Sequence, residues 1–163
     1  MIRKTLLFIF FLLVTGHWPL VTNISAQEIT ILYTGETHAM LYPCNCPKEL
    51  DGGIARRATL IKQLRKDNSD TLILDSGGFF SGGLHDEYTQ NTALDMQRTR
   101  VNLKAMELMQ YDALAIGDDE FNFGREFLEE NIVKTNLSFL SCNISDTSRK
   151  PALFRPYIIK EVA

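Results

Sequence analysis

Three carboxylates stand side by side at Asp118, Asp119 and Glu120 in the stretch AIGDDEFNFG, directly after a short apolar run and a glycine. Acidic side chains at the mouth of a turn suit divalent cations, and an imidazole beside them shifts the preference toward Mn or Zn and away from Mg or Ca. Beyond residue 26 the chain has two histidines. His38 follows Glu36 in TGETHAML, whereas His85 lies in SGGLHDEY, a loop sequence in which a histidine reads as a surface residue. A softer group of candidates is Cys44 and Cys46 in LYPCNCP, with Cys142 further along. These offer thiolates to a soft metal or a local disulfide, although a ring closed between Cys44 and Cys46 would be strained and would leave Cys142 as the odd thiol.

Side chains so far apart in sequence meet only if the fold brings them together, and the hydrophobic pattern says how. EITILYT, TLILD, ALAIG and LSFLSCN are short runs rich in apolar and β-branched residues and read as strands. Helical spacing separates them: Ile54, Ala58, Ile61 and Leu64; then Val101, Ala105, Met106 and Met109; then Phe127, Leu128 and Val133. Strand and helix in strict alternation predict an α/β fold, a mostly parallel sheet with helices packed on it through right-handed crossovers. The strand runs and the Met and Leu positions of the second helix read as core. Gly52 and Gly53 are placed to start the first helix, along which Arg56 and Arg57 face either water or a phosphate.

Ligands of such sheets collect beyond the carboxyl ends of the strands. There the sequence sets Gly35 to His38, Asp75 to Gly78, Gly117 to Glu120, and Asn143 on one rim.

With 45% hydrophobic and 23% charged residues over 163, the chain suits one globular unit. Residues 1–26 read as a secretory signal: Arg3 and Lys4, an apolar run from Leu6 to Val14, and a small-residue edge at Ala26. That run is shorter than the ~20 residues of a spanning helix, so no stable membrane span is expected. The mature domain is then 27–163, exported to a periplasmic or extracellular compartment, where disulfides are permitted. Loss of two basic side chains takes its net charge from −3 to −5. An acidic chain without a basic run argues against nucleic acid as a partner.

Taken together, ITILYTGETHAML, GGIARRATLIKQLR, TLILDSGGFFSGG, YDALAIGDDEFNFG and LSFLSCNISD resemble, in order and spacing, the amino-terminal part of the calcineurin-like metallophosphoesterases, in the branch of 5'-nucleotidases and UDP-sugar hydrolases. The resemblance implies half of a four-layer α/β-β/α domain. It further implies hydrolysis of nucleotides or related phosphoesters by paired cations ~3.5–4 Å apart. It aligns Glu36 and His38 with the family's Asp-x-His, Gly78 with the Asp that bridges the metals, Asp118 with an Asn ligand, and Asp119 with the catalytic His.

Several of those positions differ in chemistry. Glu36 keeps the charge of the family's Asp and adds a methylene. Gly78 has no side chain with which to bridge, and the late histidines of the family are missing. A carboxylate at Asp119 is a poor proton donor at neutral pH and repels phosphate. The expectation is therefore at most one weakly bound cation, Mn or Zn, held by Glu36, His38 and Asp118, with Asp119 beside it at the catalytic position. The competing reading is structural, with Asp118 or Asp119 capping the third helix and Glu120 favouring its positive end. Function then divides three ways: an impaired exported phosphoesterase, a non-catalytic binding module that self-associates through an uncovered sheet edge, or a truncated product without function.

Overall fold

A computed structural model of the chain describes residues 28–44, 51–145 and 153–162. The signal reading of residues 1–26 and Cys46 lie outside these residues. Among the described residues no helix is long and apolar enough to cross a membrane.

The expected alternation is present. Strand β1 is Thr30–Thr34, α1 Ile54–Asp67, β2 Thr71–Asp75, α2 Thr92–Leu108, β3 Ala113–Ala115, α3 Arg125–Val133 and β4 Phe139–Leu140. The strands form one four-stranded sheet in the order β1-β2-β3-β4, and every pairing is parallel. Register is fixed by Ile31 opposite Leu72, Asp75 opposite Leu114, and Leu114 opposite Phe139.

Right-handed crossovers between strands taken in sequential order put all helices on one face. That face carries the core: Ile73, Leu114 and Phe139 from the strands meet Leu103 and Met106 of α2, Leu128 of α3, and Phe79 and Phe80 of the loop after β2. Fully burying an aliphatic or aromatic side chain of this kind stabilises the fold by about 1.5–3 kcal/mol. The Phe79 and Phe80 rings pack edge to face at 5.4 Å between centroids, and Phe80 also meets Phe127 at 5.7 Å. The loop after β2 is thereby nailed to the core, which matters because it builds the rim.

Among the described residues the opposite face is open along β1, which corrects the reading of the first strand as core. Ile31 is 57% exposed and Tyr33 80% exposed, because period-two alternation points them away from the helices. Val101 and Val133 are likewise exposed, on the outward sides of α2 and α3.

Local chemistry explains the helix ends. Gly53 precedes α1 with φ +84°, a conformation that favours glycine. The Asn91 side chain accepts from the Leu94 N–H and caps α2. Arg65 donates to the carbonyls of Met109 and Gln110, which α2 leaves without helical partners. Arg57 is half-buried: it donates to Asn102 Oδ1 at 2.9 Å and lies over the Tyr111 ring.

Candidate metal centre

The rim is assembled outward from one buried carboxylate. Glu120 is fully buried in a short 3-10 turn, Asp119–Phe121, that follows β3. Its Oε2 accepts from the N–H of Gly117 at 2.8 Å and Gly78 at 3.3 Å, and its Oε1 from Phe79 at 2.9 Å and Phe80 at 3.3 Å. Burial raises the Glu120 carboxyl above its ordinary range, against the pull of these four N–H donors. One side chain thus ties the loop after β3 to the loop after β2.

The loop after β2 in turn holds the loop after β1. The Glu36 N–H donates to the Gly77 carbonyl at 2.9 Å and the His38 N–H to that of Gly78 at 2.8 Å. Arg98 of α2 donates to the His38 carbonyl at 2.9 Å. These bonds secure Glu36, His38 and Ala39 at φ +50°, +44° and +49°. Left-handed backbone costs an L-residue roughly 1–2 kcal/mol, and such strain gathers at functional sites.

The result is an imidazole held between two carboxylates. His38 Nε2 lies 3.5 Å from Glu36 Oε2, and Nδ1 lies 3.3 Å from Asp119 Oδ2. The Nδ1 approach does not have hydrogen-bond geometry, so this buried nitrogen is left without a hydrogen-bond partner. One ligand atom from each of Glu36, His38 and Asp119 falls within 4.8 Å of the others. Atoms sharing one cation at bonds of about 2.0–2.2 Å are at most about 4 Å apart, so a small closing movement would serve. An imidazole with carboxylate oxygens on either side of its ring is a donor set of the kind that can hold a divalent metal ion.

The acidic triplet therefore divides into three roles. Glu120 is structural, Asp119 faces His38, and Asp118 is exposed and lies outside the group that meets at His38. The capping expectation is corrected. Asp118 precedes the 3-10 turn without a side-chain capping bond, and α3 begins only after Gly124, so neither aspartate caps it. Glu120 is turned inward toward four N–H groups and away from any helix end. His85 is exposed, as expected. Among the described residues Cys44 and Cys142 join no metal-holding group, and Cys44 Sγ accepts from the Asp51 N–H at 3.2 Å.

Arg98 has no clear signal in the sequence, whereas Asp75 is on the rim that the strand ends mark. Arg98 donates to Asp86 at 3.1 Å and Asp95 at 2.9 Å as well as to His38, and only the Asp95 spacing is visible along a helix. Burial raises the Asp86 carboxyl, but the Gly82 N–H and Arg98 outweigh it and hold it below its usual range. Asp75, at the end of β2, accepts from Thr34 Oγ1 at 2.5 Å and from the Gly77 N–H at 2.9 Å. Burial dominates there and pushes its pKa up to about 6, with the charge of Glu36 adding to the effect.

No protein-family model matches the chain. The chain is 32% identical over 141 residues to the trifunctional nucleotide phosphoesterase protein YfkN of Bacillus subtilis, covering 82% of this chain and 10% of that protein. It is 33% identical over 135 residues to a 5'-nucleotidase of Vibrio cholerae, covering 81% of this chain and 23% of the relative. Among solved structures, the 5'-nucleotidase precursor of Thermus thermophilus superposes with a TM-score of 0.65 at 30% identity, over 82% of this chain and 26% of that one. The calcineurin-like phosphoesterase YfkN gives 0.62 at 28% identity, over 82% and 42%. The chain thus spans a minor part of each relative's length.

Proposed function

Given that the chain belongs to the calcineurin-like phosphoesterases related to 5'-nucleotidases, we propose that its rim binds one divalent cation, Mn or Zn, through Glu36, His38 and Asp119. The substrate class is a nucleotide or other phosphoester, in keeping with the nucleotide phosphoesterase and 5'-nucleotidase relatives. The observation that carries this reading is the His38 imidazole set between two carboxylates, with Asp119 beside its unpartnered Nδ1 and Glu36 beside Nε2.

A bound cation would supply positive charge for phosphate oxygens and polarise the ester. Without it, Glu36 and Asp119 repel a phosphate, so cation binding comes first. His38 offers nitrogen from a fixed backbone, Arg98 keeps that backbone in place, and Glu120 holds the two flanking loops at their separation. Asp119 is a poor proton donor to a leaving group, so hydrolysis by this chain is impaired and binding is its principal activity. Residues 27–163 act in this reading as an exported, partial domain that self-associates through β1.

The test is metal content of the purified chain after loading with Mn or Zn and desalting. One ion per chain is expected, lost in His38→Ala and Asp119→Ala and retained in Asp118→Ala. Absence of bound metal from a folded sample, or two ions per chain, would overturn the reading.

A further inference from the structure

We infer that Gly78 and Gly83 are the seats of the two carboxylates that flank His38: each glycine leaves open the space into which one carboxylate folds. The inference deepens the cation site proposed above and rests on that reading only for its functional consequence. The Glu36 side chain is 70% exposed, yet it folds back over the loop after β2. A Cβ built on Gly78 would lie 2.6 Å from Glu36 Oε1, 2.7 Å from Cδ and 2.8 Å from Oε2. A Cβ on Gly83 would lie 2.5 Å from Asp119 Oδ1 and 2.8 Å from both Cγ and Oδ2. Real carbon atoms do not approach carboxylates so closely, so in each case the carboxylate occupies the volume that a side chain would need.

The same loop thus presents bare backbone to the cluster at two separate points. Glu36 and Asp119 lie against it and face opposite nitrogens of one ring. At these two points the loop adds no ligand of its own, so among the described residues the cluster keeps three donors, two carboxylates and one imidazole, enough for one cation and short of two.

The two seats differ in how cleanly they can be probed. Gly78 has φ +71°, so any side chain there is strained whatever Glu36 does. Gly83 is outside the left-handed region, and the three nearest atoms to an added Cβ there belong to the Asp119 carboxylate, the far end of a flexible side chain. Gly83→Ala should keep the fold and displace Asp119.

The experiment is a double-mutant cycle on the full chain, with Gly83→Ala, Asp119→Ala and the pair, melted by circular dichroism with and without Mn. In the absence of metal, Gly83→Ala is expected to lower the melting temperature in the wild-type background and to have little effect in Asp119→Ala. With Mn, the stabilising shift of the wild type should be largely lost in Gly83→Ala, corresponding to about 10- to 100-fold weaker binding. Equal melting changes in both backgrounds, or Mn binding by Gly83→Ala as tight as wild type, would overturn the inference. Metal-free coupling without any Mn effect on the wild type would support the seats and overturn the cation reading instead.

Discussion

The guanidinium of Arg98 donates to the main-chain oxygen of His38 at 2.9 Å, joining the middle of α2 to the loop after β1. The same side chain is paired with Asp86 and Asp95, whose side chains are 0% and 2% exposed. One residue therefore neutralises two buried carboxylates and holds a left-handed backbone that has little reason to persist alone.

Replacing Arg98 with Met leaves both carboxylates buried without their cation. The expected loss is about 3–5 kcal/mol of stability, measurable by urea unfolding. Arg98→Lys should recover only part of it, because an ammonium lacks the planar fork that reaches several acceptors at once. Equal stability of Arg98→Met and wild type would show that the network contributes nothing.

Glu120→Gln should be more damaging than its shape suggests. The glutamine keeps one acceptor oxygen and turns an NH2 group toward N–H donors that need an acceptor. A loss of about 1–3 kcal/mol is expected from the donors left unsatisfied. Amide hydrogen exchange at Gly78, Phe79 and Gly117 should speed up relative to the strands. Unchanged protection at those amides would remove Glu120 from its place as the tie between the loops.

Asp75 makes stability depend on pH with a definite sign. Its folded pKa of about 6 lies above the ordinary 3.8, so the folded state holds the proton more tightly than the unfolded chain. The stabilisation from protonation is complete below about 3.8 and is lost as pH rises through about 6. Two pKa units correspond to about 2–3 kcal/mol. Asp75→Asn keeps an oxygen for the Gly77 N–H and remains neutral, so its stability relative to wild type should improve as pH rises from about 3.8 to about 6 and level off above that, once the folded and unfolded wild type are both ionised. A constant difference across that window would refute the assignment.

The open sheet face should make the chain self-associate. Ile29, Ile31 and Tyr33 are 47%, 57% and 80% exposed on or beside an edge strand. Sedimentation at rising concentration is expected to show oligomers in the wild type and fewer in Ile31→Thr with Tyr33→Thr, which preserve strand propensity. A wild type that stays monomeric at high concentration would argue against this use of β1.

The sequence by itself determined the class of fold, because alternating β-branched runs and helical spacing admit few solutions and crossover handedness prunes the rest. It also placed Glu36, His38 and the acidic triplet on one rim, since strand ends are legible from where apolar runs stop. Only the tertiary structure decided which acid does what. Adjacent residues in a 3-10 turn point in different directions, so Asp118 faces solvent, Asp119 faces His38 and Glu120 goes into the core. No local pattern distinguishes them. Arg98 and the seats at Gly78 and Gly83 were equally hidden, because each depends on contact between segments tens of residues apart in sequence. Glycine at those positions reads in sequence as a turn or a lost ligand. In three dimensions its missing Cβ is the space that a neighbouring carboxylate fills.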